Sequence, residues 1–497
     1  MTGLPDGLGD AGRAYVDAMP KGEIVAFPIT PIDRIGLPVW IVALFPDDDR
    51  LADVMPYGVG YGTSDAQAAL GALGECMEMV FPALTLPGMK RIAASWSELV
   101  AVHGADAVAD PFSLGLPAGS PVDRETRLEW VESRSARDGA TVLVPIDVVA
   151  LTRKDLSAGY TPFTTLITNG MGAGPDRDWA TGHGLLELLQ RDGNGLVFKA
   201  LDRGIALELP EPPPSTVAPI LARFEAAGIR VIPKFAADDF GLANLYCVGF
   251  ERDGSDPPLP IMVTGCGEAC HPDRDRALEK CLCEFAASRA RKAFAHGPSA
   301  VIEQVAPRGY VDRFLRQAGS GVGGQEGRAF AAMRDWSSRR PADIRAWLAA
   351  SVHAVRGSKP FDDLPSTPAT GSREAGRIAR ERVEAAGIEV LSVDLTPPGA
   401  SVSVAKTIAP GLEVETMSYG RIGERNTRRL IERNDPLVVF GTPSETRKPI
   451  RLSPEALARF GRQPLLDMER LAAVVGPLYP LYREPEAHHV AAAEVAA

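Results

Sequence analysis

At 497 residues the chain exceeds what one ordinary hydrophobic core supports, which predicts two lobes or a double-sized domain. Hydrophobic residues at 45% and charged residues at 24% are those of a soluble globular protein. The net charge of −11 argues against a general binder of nucleic acid or anionic membrane, while leaving room for a local basic groove.

Two strands are predicted first, over Gly22-Glu-Ile-Val-Ala-Phe-Pro-Ile-Thr and Leu37-Pro-Val-Trp-Ile-Val-Ala-Leu-Phe; the second is nearly all apolar and reads as buried. A turn-rich stretch from Tyr57 to Asp65 leads into a helix of small residues, which Thr63, Ser64 or Asp65 is placed to cap. A strand over Ala140-Thr-Val-Leu-Val-Pro-Ile-Asp-Val-Val-Ala precedes the loop Asn169-Gly-Met-Gly-Ala-Gly174, and a second helix follows. The segment Glu225-Ala-Ala-Gly-Ile-Arg-Val231 recurs as Glu384-Ala-Ala-Gly-Ile-Glu-Val390, which predicts in both places a helix ended by a left-handed glycine and then a strand. Residues 317–327 are glycine-rich and residues 356–373 are rich in Pro, Ser, Gly and Thr; both read as exposed connections. After Pro485 the chain reads as a frayed tail, and a metal role for His488 and His489 is not expected.

No apolar run reaches bilayer-spanning length, and the N-terminus lacks a basic segment followed by an apolar one. The expected compartment is the cytoplasm, with neither membrane nor nucleic acid as partner. Cys266, Cys270, Cys281 and Cys283 fall close together beside His271, but their spacings differ from paired CxxC knuckles. Small buried thiols in a reducing compartment are the expected reading, with a metal or redox site as the alternative.

Three helical segments carry acidic groups among small or apolar residues: Ala66–Glu78, His183–Arg191 and Ala277–Arg289. Glu75 and Glu78 are three apart and Glu187 and Arg191 four apart, so each pair shares a helix face. Carboxylates are costly to bury unless they are paired or bind a cation. Converging, these helices would form a pocket for Mg²⁺ and a polyphosphate. Taken singly, each pattern also fits a solvated face or an ordinary ion pair.

In these segments and their leading loops the chain resembles the YcaO family. The first block is Gly60-Tyr-Gly-Thr-Ser-Asp-Ala-Gln-Ala with Gly74-Glu-Cys-Met-Glu78. The second is Thr168-Asn-Gly-Met-Gly-Ala-Gly174 with His183-Gly-Leu-Leu-Glu-Leu-Leu-Gln-Arg-Asp192. The third is Gly265-Cys-Gly-Glu-Ala-Cys-His-Pro-Asp273 with Cys283-Glu-Phe-Ala-Ala-Ser-Arg289, and Pro410-Gly-Leu-Glu413 with Gly420-Arg-Ile-Gly-Glu-Arg425 follows. The ordered set spans about residues 20–450.

The resemblance implies an α+β fold in which sheets flanked by helices place a nucleotide cleft between two related halves. Residues 1–20 would be an extension, 21–450 the catalytic domain (halves near 21–250 and 251–450), and 451–497 a C-terminal helix and frayed tail. It implies ATP and Mg²⁺ as cofactors and phosphorylation of a peptide backbone amide oxygen, after which a nucleophile adds. A neighbouring Cys or Ser gives an azoline; external sulfide gives a thioamide. Glu75, Glu78, Asn169, Glu187, Gln190, Arg191, Glu284 and Arg289 are the implied nucleotide-binding residues, with Glu75, Glu78 and Glu187 as metal ligands. No catalytic residue is assigned. A peptide or protein substrate, a helper that delivers peptide or sulfur, and a homodimer are implied as well.

Tyr61, Trp179, Gln190 and Ala287 depart from the family pattern, with Asp176 or Asp178 placed to compensate for Trp179. The chain also ends without the alternating prolines of azoline-forming members, which favours thioamide-type chemistry. A cyclodehydratase, or a non-catalytic scaffold that binds peptide, is the alternative.

Overall fold

The structure, a computed structural model, describes residues 3–51, 54, 56–197, 201–318, 327–485, 487, 488 and 491. Among them the fold is α+β, with four sheets flanked by helices. Gly22–Pro28, Val39–Pro46 and Tyr57–Tyr61 form an antiparallel sheet in chain order. Its middle strand is continuously apolar because both faces are buried: Trp40, Val42 and Leu44 enter one core, and Val39, Ile41, Ala43 and Phe45 another. A six-stranded sheet ends at Met171–Gly174, which pairs with Ser403–Ile408, and a five-stranded sheet ends at Cys266–His271, which pairs with Ala243–Glu251. A small sheet of Val438–Phe440, Pro464–Asp467 and Arg447–Pro449 lies toward the C-terminus.

Three strand–helix units organise the molecule. Strand β1 (Tyr57–Tyr61) leads to helix α1 (Asp65–Thr85), β2 (Met171–Gly174) to α2 (Arg177–Val197), and β3 (Cys266–His271) to α3 (Arg274–His296). Each strand is the edge of a different sheet. Each helix start is tied by a side chain: Ser64 accepts from the Gln67 N–H at 3.3 Å, Asp176 from Trp179 at 3.0 Å and Asp273 from Asp275 at 2.9 Å. The units pack cyclically: α1 lies against β2, α2 against β3 and α3 against β1.

Within each unit the strand lies almost on its own helix, at a separation that only glycine permits. A Cβ on Gly60 would stand 1.8 Å from the Ala68 carbonyl oxygen; Gly172 and Gly267 stand in the same relation to Ala180 and Cys281, at 2.1 and 1.9 Å. Backbone cannot retreat as a flexible side chain can. Gly60→Ala is therefore expected to cost about 2–3 kcal/mol, read as a lower urea midpoint at unchanged m-value.

The repeated segments behave as their sequence predicts. Helix Ala218–Ala226 passes through Gly228 (φ 67°) into strand Ile229–Ala237, and Ser372–Ala385 through Gly387 (φ 81°) toward strand Leu391–Asp394.

Other expectations are corrected. Helix α1, continued to Gly88, is by length and composition apolar enough to cross a membrane, contrary to the absence of such a run read from sequence. Half of it is buried, because it is a core helix packed on β1, β2 and Val39–Pro46. The stretch 356–373 is more than a connection: Gly357–Pro360 adds a parallel strand to the five-stranded sheet, and Phe361 is buried. The C-terminal segment is more than a helix and a frayed end. Pro464–Asp467 is the middle strand of its sheet, and His488 is buried against the rings of Phe294, Tyr310 and Phe314. Most of the glycine-rich stretch 317–327, and His489, lie outside the described residues.

Candidate functional site

The same hydrogen bond occurs once in every unit. Glu75 of α1 accepts the Val59 N–H at 2.6 Å, Glu187 of α2 accepts Gly170 N–H at 2.8 Å, and Glu284 of α3 accepts Glu268 N–H at 3.2 Å. A helix carboxylate thus satisfies a donor on or beside the strand of its own unit. Each unit also reaches the next. Glu78 takes a backbone hydrogen bond from Ala173, Arg191 reaches Glu268 at 3.3 Å, and the Tyr61 hydroxyl donates to Glu284 at 3.1 Å. The three helices therefore turn their acidic faces to one cleft.

The cleft carries an excess of carboxylates. Glu75 sits deep between the units yet is exposed to the cleft. Burial pushes Glu75, Glu78 and Glu284 above the usual carboxylate range; Glu187 and Glu284 add to this at Glu75, Glu187 and Glu75 at Glu78, and Glu268 at Glu284. Two arginines stand among them. Arg191 lies 3.9 Å from Glu187, and its buried Nε has no hydrogen-bond partner among the described residues. Arg291 pairs with Glu484 at 2.9 Å, and its charge acts on Glu75 and Glu284. Asn169 donates to Glu415 at 2.9 Å, and the field of Glu415 reaches Arg191.

Of the residues expected from sequence, Glu75, Glu78, Asn169, Glu187, Arg191 and Glu284 gather here. Arg289 does not. It is fully buried on another side of α3, bound to Asp33 at 2.6 Å and Glu251 at 2.9 Å. The helical period explains the correction: Arg291 is seven residues from Glu284 and shares its face, whereas five residues turn Arg289 well away. Gln190 is buried, and no hydrogen bond or ion pair joins it to these groups among the described residues. Glu75, Glu78 and Glu187 share one electrostatic field, but among the described residues no three acidic, His or Cys side chains form a ready-made metal cage.

The departures also find physical roles. Tyr61 holds Glu284, and Trp179 stacks on His183 with ring centroids 5.3 Å apart. Asp176 does not replace an acidic group at Trp179: it is engaged by Arg373, and Asp178 is exposed. Ala287 is buried in the core beneath the first sheet. All six cysteines are free, and Cys281 donates to the Gly267 carbonyl at 3.2 Å.

Sequence reasoning missed Glu268, Arg291, Lys406, Glu415 and Glu484. Glu268 had a signal, as the lone acid within the small-residue strand β3. Glu415 and Glu484 had none, because tertiary packing alone brings them to the cleft.

The residues present fit a magnesium-bound polyphosphate. Crowded carboxylates with raised proton affinity are undercompensated in charge, and a divalent cation relieves that. Mg²⁺ needs only one or two carboxylates when phosphates complete its shell, so an open acidic cleft with two arginines suits it better than a closed cage.

The same crowding gives a signed expectation. Glu78 has its affinity for a proton raised on folding, so its contribution to stability is greatest in acid and falls as pH rises through its folded pKa. Glu78→Gln is thus expected to raise Tm at pH 8 by about 2–4 °C, with the gain vanishing near pH 4.5, in ligand-free melts across that range.

A family model described as YcaO cyclodehydratase, ATP- and Mg²⁺-binding, matches residues 59–413. An uncharacterized protein of Methanothermobacter thermautotrophicus is 27% identical over 399 residues, covering 80% of this chain and 91% of that protein. An uncharacterized protein in the tfuA 3′ region of Rhizobium leguminosarum bv. trifolii is 24% identical, covering 80% and 85%. The structure of YcaO from Methanopyrus kandleri bound with AMPPCP and Mg²⁺ has a similar fold, with TM-score 0.52, 21% identity and coverage of 83% of this chain and 91% of that one. A heterocyclase in complex with substrate and cofactor has TM-score 0.51 at 17% identity; the match covers 76% of this chain but only 48% of the heterocyclase.

Proposed function

Since the chain belongs to the YcaO family, we propose that it activates a backbone amide of a peptide or protein at the expense of ATP, with Mg²⁺, and passes the activated carbon to an external nucleophile. The observation that carries this reading is the threefold arrangement of Glu75, Glu187 and Glu284 around one cleft, with Arg191 and Arg291 between them.

When bound, ATP and Mg²⁺ supply the phosphoryl group that makes the amide oxygen a leaving group. The chain's own residues bind and orient. Glu75, Glu78 and Glu187 would hold the cation, and their hydrogen bonds to the strands fix Glu75 and Glu187 before the ligand arrives. Arg191 and Arg291 would take phosphate oxygens, Arg191 with its unengaged Nε and Arg291 by exchanging Glu484 for the ligand. Asn169 would sit at the nucleotide's edge, held by Glu415.

Thioamide formation is favoured over azoline formation. The family resemblance supports this preference: its azoline-forming members carry a run of alternating prolines, and the segment that supplies Glu484 beside the cleft, Tyr482-Arg-Glu-Pro, is not one. The enzyme would act in the cytoplasm, as a homodimer served by a helper protein. A non-catalytic scaffold is the second reading, favoured by Tyr61 already occupying Glu284 and by the missing charge at Gln190.

The test is mass spectrometry of peptides encoded alongside this chain, incubated with the protein, MgATP and sulfide. Oxygen-to-sulfur exchange that needs ATP is expected. Loss of water would assign azoline chemistry, and an unchanged peptide that still binds without ATP would assign the scaffold.

A further inference from the structure

Beside the cleft lies a cavity of about 60 Å³ whose lining includes Lys406, Arg421, Asp147, Asn169 and Leu412. Its two basic side chains are almost wholly buried, Lys406 at 3% exposure and Arg421 at 6%; burial, with the charge of Arg421, pushes the Lys406 ammonium down to about 7. Neither has a carboxylate within ion-pair distance among the described residues. Lys406 donates to the Ile167 carbonyl at 2.7 Å; Arg421 donates through Nε to Gly115 and through Nη2 to Leu114, both at 2.9 Å. Donors remain on both, two on the ammonium and the Nη1 edge of the guanidinium. The carboxylates that act on them do so from farther off: Glu187 and Glu78 on Lys406, Glu415 on Arg421. Asp147, the acid on the lining, is engaged by the Tyr160 hydroxyl at 2.6 Å and the Phe163 N–H at 2.8 Å.

Burial without a counter-ion disfavours the charged form of both, and an anion between them would offset that cost and hold Lys406 protonated. We infer that this cavity binds a small inorganic anion, and that in the reaction proposed above the anion is hydrosulfide, the external nucleophile. This assignment rests on that reading. Asn169 lines the cavity and also binds Glu415 in the cleft, so an anion here would stand at the edge of the cleft, to which the proposed reaction would bring the activated amide. There the hydrosulfide electron pair would form the carbon–sulfur bond. The carbon–oxygen bond would break with its pair going to phosphate, and the sulfur's proton would pass to that phosphate. The size suits a small ion.

Thermal unfolding of the full chain at fixed ionic strength tests this, with sodium hydrosulfide, sodium phosphate or sodium chloride and without oxygen. Hydrosulfide is expected to give a saturable rise of about 2–4 °C that Lys406→Met abolishes. A saturable rise with phosphate alone would make the cavity a phosphate site and overturn the nucleophile assignment. No saturable rise with either would overturn the anion site itself. Should Lys406→Met not fold, bromide soaked into crystals of the unaltered protein replaces it: an anomalous peak between Lys406 and Arg421 supports the site, and its absence removes it. Binding of magnesium and an ATP analogue, measured on the same samples, keeps failure of the proposed reaction distinguishable from failure of this cavity.

Discussion

Glu187→Gln is expected to fold as the parent does and to lose magnesium-dependent nucleotide binding by about 30–100-fold, measured calorimetrically with a non-hydrolysable ATP analogue with and without Mg²⁺. The amide oxygen of glutamine can still accept the Gly170 N–H, so the loop before β2 keeps its partner. What disappears is a charge that acts on Glu75, Glu78, Arg191 and Lys406 together. Glu187→Ala removes the hydrogen bond too, and should weaken binding at least as much while lowering stability. The difference between the two variants separates charge from positioning. A Gln variant that binds the magnesium complex like the parent would remove Glu187 from the metal site and leave the cleft an ion-pair network.

The cleft was partly legible in the sequence because helices report their faces. Glu75 with Glu78 and Glu187 with Arg191 lie one turn apart, and both pairs face the cleft. The same rule applied over two turns selects Arg291 over Arg289. Family resemblance drew attention to the motif's end instead of the helix face. The cyclic order of the units was not legible. It rests on pairings between edge strands and foreign helices, such as Tyr61 with Glu284, that no local pattern encodes. The glycines that permit it were visible, but Gly60 and Gly172 read in sequence as parts of a turn and a loop, and Gly267 as part of a motif, rather than as close strand–helix contacts. Glu484 lies beyond reach for a further reason: its role depends on a C-terminal segment anchored by the burial of His488 among Phe294, Tyr310 and Phe314.

Arg289 gives the second large effect, on stability rather than binding. Its guanidinium uses three edges at once: Nε to Asp33 at 2.6 Å, Nη2 to Glu251 at 2.9 Å and Nη1 to the Met262 carbonyl at 2.6 Å. All three side chains are essentially buried, and the Asp33 Oδ1 has no further partner among the described residues. Arg289→Met would leave Asp33 buried without a cation among the described residues and Glu251 with only Arg34, at 3.4 Å, an expected loss of about 3–5 kcal/mol in urea unfolding. Arg289→Lys keeps a charge but loses the planar fork, and should fall between. The triple variant Arg289→Met, Asp33→Asn, Glu251→Gln should recover much of the loss, since the penalty lies in the abandoned charges rather than in the missing attraction. Measured below the melting range, nucleotide affinity in these variants should stay within about twofold of the parent, as expected for sites without shared partners. A fall in nucleotide affinity without a fall in stability would return Arg289 to the phosphate site.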